Sequence, residues 1–119
     1  MTIRASATRF DLSDVRRRLG KNDALIADML RMFVELHPQQ MAAVESAVGS
    51  GRAEAVRTSA HSLKGFAGNL SATGVVEASG ALERAAEQGH TGEFDVLFER
   101  VRNEMALLVD ELTSQPEEE

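Results

Sequence analysis

Hydrophobic residues recur at spacings of three and four along most of the chain, and no stretch alternates between apolar and polar residues long enough to indicate a strand. This pattern predicts one short helix followed by four long amphipathic helices. We expect the short helix to begin after Asp11, an N-cap residue, and to end at Gly20, a natural helix C-terminus. The long helices are predicted over about 22–49, 52–71, 74–88 and 93–113.

The second helix contains Pro38, yet its apolar stripe stays in phase on both sides of the proline. We therefore predict one long kinked helix, capped by Asn22 and ended by the turn around Gly49–Gly51. The predicted core positions of the long helices are Ile26, Met29, Leu30, Phe33, Leu36, Met41, Val44 and Val48; Val56, Ala60, Leu63, Ala67 and Leu70; Val75, Ala78, Leu82 and Ala85; and Phe94, Leu97, Phe98, Val101, Met105, Leu108 and Leu112.

Long amphipathic helices joined by short turns pack as antiparallel neighbours. The sequence therefore predicts an all-α protein, an antiparallel up-down four-helix bundle with a short N-terminal cap helix, over residues 10–113. Residues 1–9 lack periodicity and are predicted to be a flexible arm or linker, and residues 114–119 an acidic tail. We expect a monomer, because every apolar stripe can be buried inside one bundle.

The amino-acid composition excludes several classes of function. The 119 residues carry a net charge of −6 and no cysteine, which excludes disulfides and thiolate metal sites and fits a reducing cytoplasm. The chain offers neither a basic stripe nor Tyr and Trp for base stacking, so no nucleic acid partner is expected. No apolar run reaches the ~20 residues of a membrane span, and no His/Glu spacing typical of a metal-binding bundle is present.

The third predicted helix carries unusual residues on a face away from its core stripe. His61, Lys64, Gly65 and Gly68 share that face. Each glycine costs about 1 kcal/mol relative to alanine in a helix interior, so a use that offsets this cost is expected. Glycines beside an exposed histidine leave its ring clear for a large partner to approach.

The chemistry of these side chains points to a phosphoryl group. An imidazole with a pKa near 6.5 is mostly neutral in the cytoplasm and has a nucleophilic nitrogen. Lys64, one turn after His61, can neutralise a phosphoryl group on that nitrogen. Arg57, one turn before His61, is interpreted as a solvated charge at the edge of the same surface.

The string Ala60-His61-Ser62-Leu63-Lys64-Gly65, followed by Gly68, resembles the signature of histidine-containing phosphotransfer (HPt) domains, and the similarity extends over roughly residues 10–112. The resemblance implies that His61 is phosphorylated on Nε2 by a receiver-domain aspartate and passes the group to another receiver. It also implies that Lys64 stabilises the phosphoryl group and that Gly65 gives the receiver room. We expect the partner surface to include Gly65, Gly68, Arg57 and Glu83. Glu83 stands where the family often has a glutamine near the ring; a carboxylate there can orient the ring through Nδ1 but repels a phosphate.

The resemblance implies receiver domains as partners, with Mg²⁺ bound by the receiver and no cofactor or metal on this chain. The sequence has no P-loop and no kinase glycine-rich loop, so we expect a phosphocarrier rather than an enzyme. It would act alone or as the C-terminal module of a hybrid histidine kinase. The alternative is a phosphate-independent adaptor that docks a receiver or a partner helix; an enzyme acting alone ranks third.

Overall fold

The computed structural model describes residues 9–114, and every regular element in that range is helical. The predicted arm, apart from Arg9, and the predicted tail, apart from Ser114, lie outside the described residues. A 3₁₀ turn, Thr91–Glu93, precedes the last helix. The helices are α1 (Leu12–Leu19), α2 (Asp23–Ser50), α3 (Ala53–Gly68), α4 (Thr73–Glu87) and α5 (Phe94–Thr113).

The four long helices form a closed ring of neighbours. Helix α2 packs on α3 and α5, α4 packs on the same two helices, and the short α1 packs on α2. Helices α3 and α5 therefore lie diagonally across the bundle. The short connections make consecutive helices antiparallel, so the predicted fold class is confirmed. Within residues 9–114, no helix has the combination of length and apolar character that crossing a bilayer requires.

Helix capping follows the predicted residues. The Asp11 side chain accepts a hydrogen bond from the backbone N–H of Asp14 at 3.0 Å, and Asn22 does the same for Leu25 at 3.0 Å. Gly20 ends α1 in the left-handed conformation, with φ of 72°, which only glycine adopts without strain. The sequence therefore fixes where α1 ends and where α2 begins.

Helix α3 ends at Gly68, three residues before its predicted end at Ser71. Ser71 has a φ of 52°, a left-handed conformation that stops the helix. Helix α1 holds this turn in place, because Arg18 donates to the Asn69 carbonyl at 2.9 Å and to Ser71 Oγ at 3.0 Å, while Ser71 Oγ donates to Asp14. A contact distant in sequence therefore sets the helix boundary.

The predicted core is largely the observed one. The five predicted core positions from Val56 to Leu70 are all fully buried, and the four predicted on α4 are at most 4% exposed. The prediction was wrong for Leu36, which is 40% exposed. Met29, Met41, Val48 and Leu97 are only partly buried and pack at the edge of the core.

Helix α2 runs through Pro38 as one helix, as predicted. Proline has no N–H, so the carbonyl four residues earlier, that of Val34, loses its usual helical partner. The His37 ring replaces the missing donor: its Nδ1 lies 2.7 Å from the Val34 carbonyl oxygen. A side chain next to the proline thus satisfies the carbonyl that the proline leaves free.

We expect His37→Phe, which keeps a ring of similar helix propensity but removes the donor, to lower the free energy of unfolding by about 1 kcal/mol. The loss should disappear in a Pro38→Ala background, because alanine restores the backbone donor to Val34. Urea unfolding of the two single variants and the double variant measures the coupling. An equal loss in both backgrounds would show that His37 has no such role.

The first described residue is held by α5. The backbone N–H of Arg9 donates to Glu111 at 2.9 Å, and its guanidinium pairs with Glu104 at 3.4 Å. Arg9 therefore belongs to the bundle rather than to the arm in which it was predicted.

Candidate functional site

The face of α3 that carries His61 is set by the residues beside it. Ala60 and Leu63 are fully buried and fix the rotation of the helix on the core. His61 follows Ala60 by one position, so it projects from the flank of the bundle, with 65% of its side chain exposed. The ring is therefore accessible from the solvent.

One carboxylate of α4 bridges two side chains of α3. Glu83 Oε2 lies 2.8 Å from His61 Nδ1, and Glu83 Oε1 lies 2.7 Å from Lys64 Nζ. Glu83 was predicted on the partner surface, and this placement is corrected: its side chain is only 9% exposed, beneath the two residues it binds. It is buried because it lies on the α4 face packed against α3.

The charge state of Glu83 determines which His61 nitrogen is free. Burial raises the pKa of the Glu83 carboxyl, but the hydrogen bonds from Lys64 and His61 outweigh it, and the pKa lies below its ordinary value. The ionised carboxylate only accepts hydrogen bonds, so the neutral ring carries its proton on Nδ1. Nε2 is then the nitrogen with a free lone pair.

Gly80 lies beside the site, buried on α4 one turn before Glu83. A Cβ there would lie 3.7 Å from Lys64 Cδ and 3.4 Å from Arg84 Nη1, which are ordinary van der Waals contacts. The path of the Lys64 side chain to Glu83 therefore does not require glycine at this position.

Gly65 and Gly68 are exposed on α3, one and two turns after His61. A Cβ built on either residue would meet no atom within 4 Å. Packing inside the bundle therefore does not require glycine at these positions. The empty space lies on the outside, next to the histidine.

Arg57 is bound by its own helix. It donates to Glu54 through Nε at 3.2 Å and Nη2 at 2.6 Å, and these hydrogen bonds to the Glu54 carboxylate raise the pKa of the guanidinium. The charge of Glu83 acts on Arg57 only as a weaker, longer-range contribution. Arg57 lies one turn before His61 but makes no hydrogen bond with it among the described residues.

An apolar groove between α1, α2 and the end of α3 was not predicted. Leu25, Met32 and Leu36 are 40–54% exposed along it. Its floor is a stacked pair, Phe33 and Phe66, whose ring centroids are 4.3 Å apart at 10°. Phe66 follows His61 by five residues, so it lies about 7.5 Å farther along α3 and about 140° around the helix axis from the histidine.

Residues 9–114 contain no cluster of three or more His, Asp or Glu side chains arranged to hold a metal ion. The other two histidines lie elsewhere: His37 binds the α2 backbone, and His90 lies 3.6 Å from Glu93 in the 3₁₀ turn. The site therefore consists of His61, Lys64 and Glu83, with the exposed backbone of Gly65 and Gly68 beside it.

The bundle thus presents an exposed imidazole on its flank, with a lysine beside it and bare backbone around it, as the resemblance to HPt domains implies for His61, Lys64, Gly65 and Gly68. The family model for the Hpt domain matches residues 28–114. This chain belongs to the Hpt domain family, and its function is histidine phosphotransfer in a phosphorelay.

A crystal structure of histidine-containing phosphotransfer protein B from Pseudomonas aeruginosa PAO1 has a similar fold. The TM-score is 0.81 at 24% identity, and the alignment covers 91% of this chain and 94% of that one. At this identity the likeness supports the fold. No curated protein matches the chain in sequence.

Proposed function

We propose that His61 is the residue that carries the phosphoryl group, accepting it from a receiver-domain aspartate and passing it to another receiver. The observation that carries this proposal is the contact between His61 Nδ1 and the ionised Glu83, which leaves Nε2 unprotonated on an exposed ring. Glu83 is then a positioning residue, since it holds the ring without contacting the reacting nitrogen.

In the transfer step, the Nε2 lone pair attacks the phosphorus of the aspartyl phosphate. A P–N bond forms, the P–O bond to the aspartate breaks, and its electron pair stays on the carboxylate. The ring retains its Nδ1 proton beside Glu83 and gains a positive charge. Transfer to the next receiver reverses these bond changes. Such transfer depends on positioning and charge stabilisation more than on covalent chemistry by the protein.

Lys64 supplies the cation for the phosphoryl group, and its side chain is 36% exposed. A phosphate carries −1.5 to −2 charges near neutral pH, by analogy with phosphorylated hydroxyls. Mg²⁺ belongs to the acidic pocket of the receiver in this proposal. The chain itself acts as a phosphocarrier without a cofactor.

The apolar groove supplies a docking surface for the receiver. A receiver that places its aspartate at His61 must also cover the surface around the histidine. The bare backbone at Gly65 and Gly68 allows close approach, and Met32, Leu36 and Phe66 extend that surface with apolar contacts. Gly65, Gly68 and the groove together form the partner surface, with Arg57 at its edge.

The decisive experiment separates a carrier from an adaptor. Incubation with a panel of phosphorylated receiver domains should move the phosphoryl group onto this protein in an acid-labile, base-stable form. Labelling and binding are measured in parallel for each receiver. Binding without labelling by every receiver would identify a phosphate-independent adaptor instead.

A further inference from the structure

Lys64 is already bound before any phosphoryl group arrives. Its ammonium lies 2.7 Å from Glu83, a carboxylate that is 9% exposed. The same carboxylate accepts from His61 at 2.8 Å. Because the carboxylate end of this pair is shielded from water, its attraction for the ammonium is less screened than in a fully exposed surface pair. The cation that a phosphoryl group needs is therefore shared with an internal anion.

Phosphorylation of His61 changes the charge balance of this cluster. With a neutral ring, Lys64 and Glu83 cancel. A phosphoryl group on Nε2 adds nearly two negative charges on the far side of the ring from Glu83, while the ring, which keeps its Nδ1 proton, gains one positive charge. The cluster therefore gains about one net negative charge. The N–H groups of the Lys64 ammonium are then divided between the Glu83 carboxylate and the phosphoryl group. The Glu83 carboxylate also repels the phosphoryl group across the ring. A glutamine at this position would keep a carbonyl acceptor for the Nδ1 proton and would remove both penalties. It would also remove the attraction of the carboxylate for the single positive charge on the ring, which the two negative charges of the phosphoryl group and the release of Lys64 outweigh.

We propose that Glu83 weakens the hold of His61 on the phosphoryl group. Because it competes for Lys64 and adds a negative charge beneath the ring, phosphorylated His61 transfers the phosphoryl group readily and keeps it only for a short time. This inference rests on the proposed role of His61. It concerns the balance between holding and passing on the group, rather than the identity of the acceptor.

The test uses phosphoramidate, a small phosphoryl donor that needs no receiver. Its P–N bond breaks as the bond to Nε2 forms, and the nitrogen, which is already protonated to –NH3⁺ at neutral pH, leaves as ammonia with the electron pair of the broken bond. At fixed phosphoramidate and ammonium concentrations, the ratio of phosphorylated to unphosphorylated protein measures how favourable the phosphorylated state is. Intact-protein mass spectrometry gives the ratio. The measurement starts once from the unphosphorylated protein and once from the phosphorylated protein, and both should reach the same value.

Glu83→Gln should raise this ratio by roughly tenfold, which corresponds to about 1.4 kcal/mol, and should lengthen the lifetime of the phosphorylated protein. One unit charge several ångströms away, at the effective dielectric of a protein surface, has an effect of this order. Glu87→Gln is the matched control, because it removes the same charge from α4 one turn later, at an exposed position without contact to His61 or Lys64.

A second pair of variants tests the competition directly. Lys64→Met should lower the ratio in both backgrounds, and by more when Glu83 is already glutamine, because the ammonium is then free to serve the phosphoryl group alone. Equal effects in the two backgrounds would overturn the competition. A ratio unchanged or lowered by Glu83→Gln, or raised equally by Glu87→Gln, would overturn the inference as a whole.

These outcomes differ from a failure of the proposed function. If the wild-type protein takes no phosphoryl group at His61 from phosphoramidate or from any receiver, His61 is not the acceptor. If the wild-type and Glu83→Gln proteins are both labelled at His61 with equal ratios, His61 remains the acceptor and only the role assigned to Glu83 is wrong.

Discussion

Replacing His61 with glutamine should abolish labelling by phosphorylated receivers and by phosphoramidate while leaving the bundle intact. The variant removes the only nucleophilic nitrogen of the site. Its cost to folding should be about 1 kcal/mol or less, because 65% of the side chain is exposed and the glutamine amide can still donate to Glu83. Phosphoprotein assays and thermal unfolding measure the two effects separately.

His90→Gln is the matched control for that variant. His90 is also half exposed and lies beside a glutamate, yet its Glu93 partner is on the surface, at 60% exposure, and no lysine pairs with it in the described chain. We expect full labelling of this control. Residual acid-labile label on the His61 variant would show that another residue accepts the phosphoryl group.

The second large effect should come from Gly65→Leu, which should slow transfer from a phosphorylated receiver at least tenfold. The leucine side chain would project one turn from His61, into space that is empty in the free protein. Folding should not suffer, because leucine is favoured over glycine in a helix by nearly 1 kcal/mol. Labelling by phosphoramidate should remain close to wild type, since a small donor needs little room.

Gly49→Leu is the control for this variant. Gly49 is exposed in α2 and likewise has no atom within 4 Å of an added Cβ, so the stability gain should be similar. Stopped transfer in both variants would point to a general effect of leucine on the bundle. Wild-type transfer with Gly65→Leu would show that the receiver does not approach over this turn of α3.

The sequence was sufficient for features that depend on near neighbours in the chain. The stripe through Val56, Ala60 and Leu63 predicted both the core face of α3 and the outward direction of His61, because helix geometry converts spacing into direction. The caps at Asp11 and Asn22 were predicted for the same reason: a cap involves residues three positions apart.

Features that depend on contacts between distant segments could not be predicted in this way. The burial of Glu83 follows from how α4 packs on α3, a relation that no spacing within α4 reveals. Leu36 continues the apolar stripe of α2 in phase, but it faces the groove beyond the edge of α3. The sequence shows that such a residue is apolar, whereas only the packing shows whether another helix covers it.

The described chain begins and ends on one helix. Arg9 is bound to Glu104 and Glu111 of α5, and Thr113 is the last residue of that helix. The two ends of the described segment therefore lie close together at the C-terminal end of α5. A donor and an acceptor fluorophore attached at these two ends should report unfolding of the bundle as a loss of energy transfer.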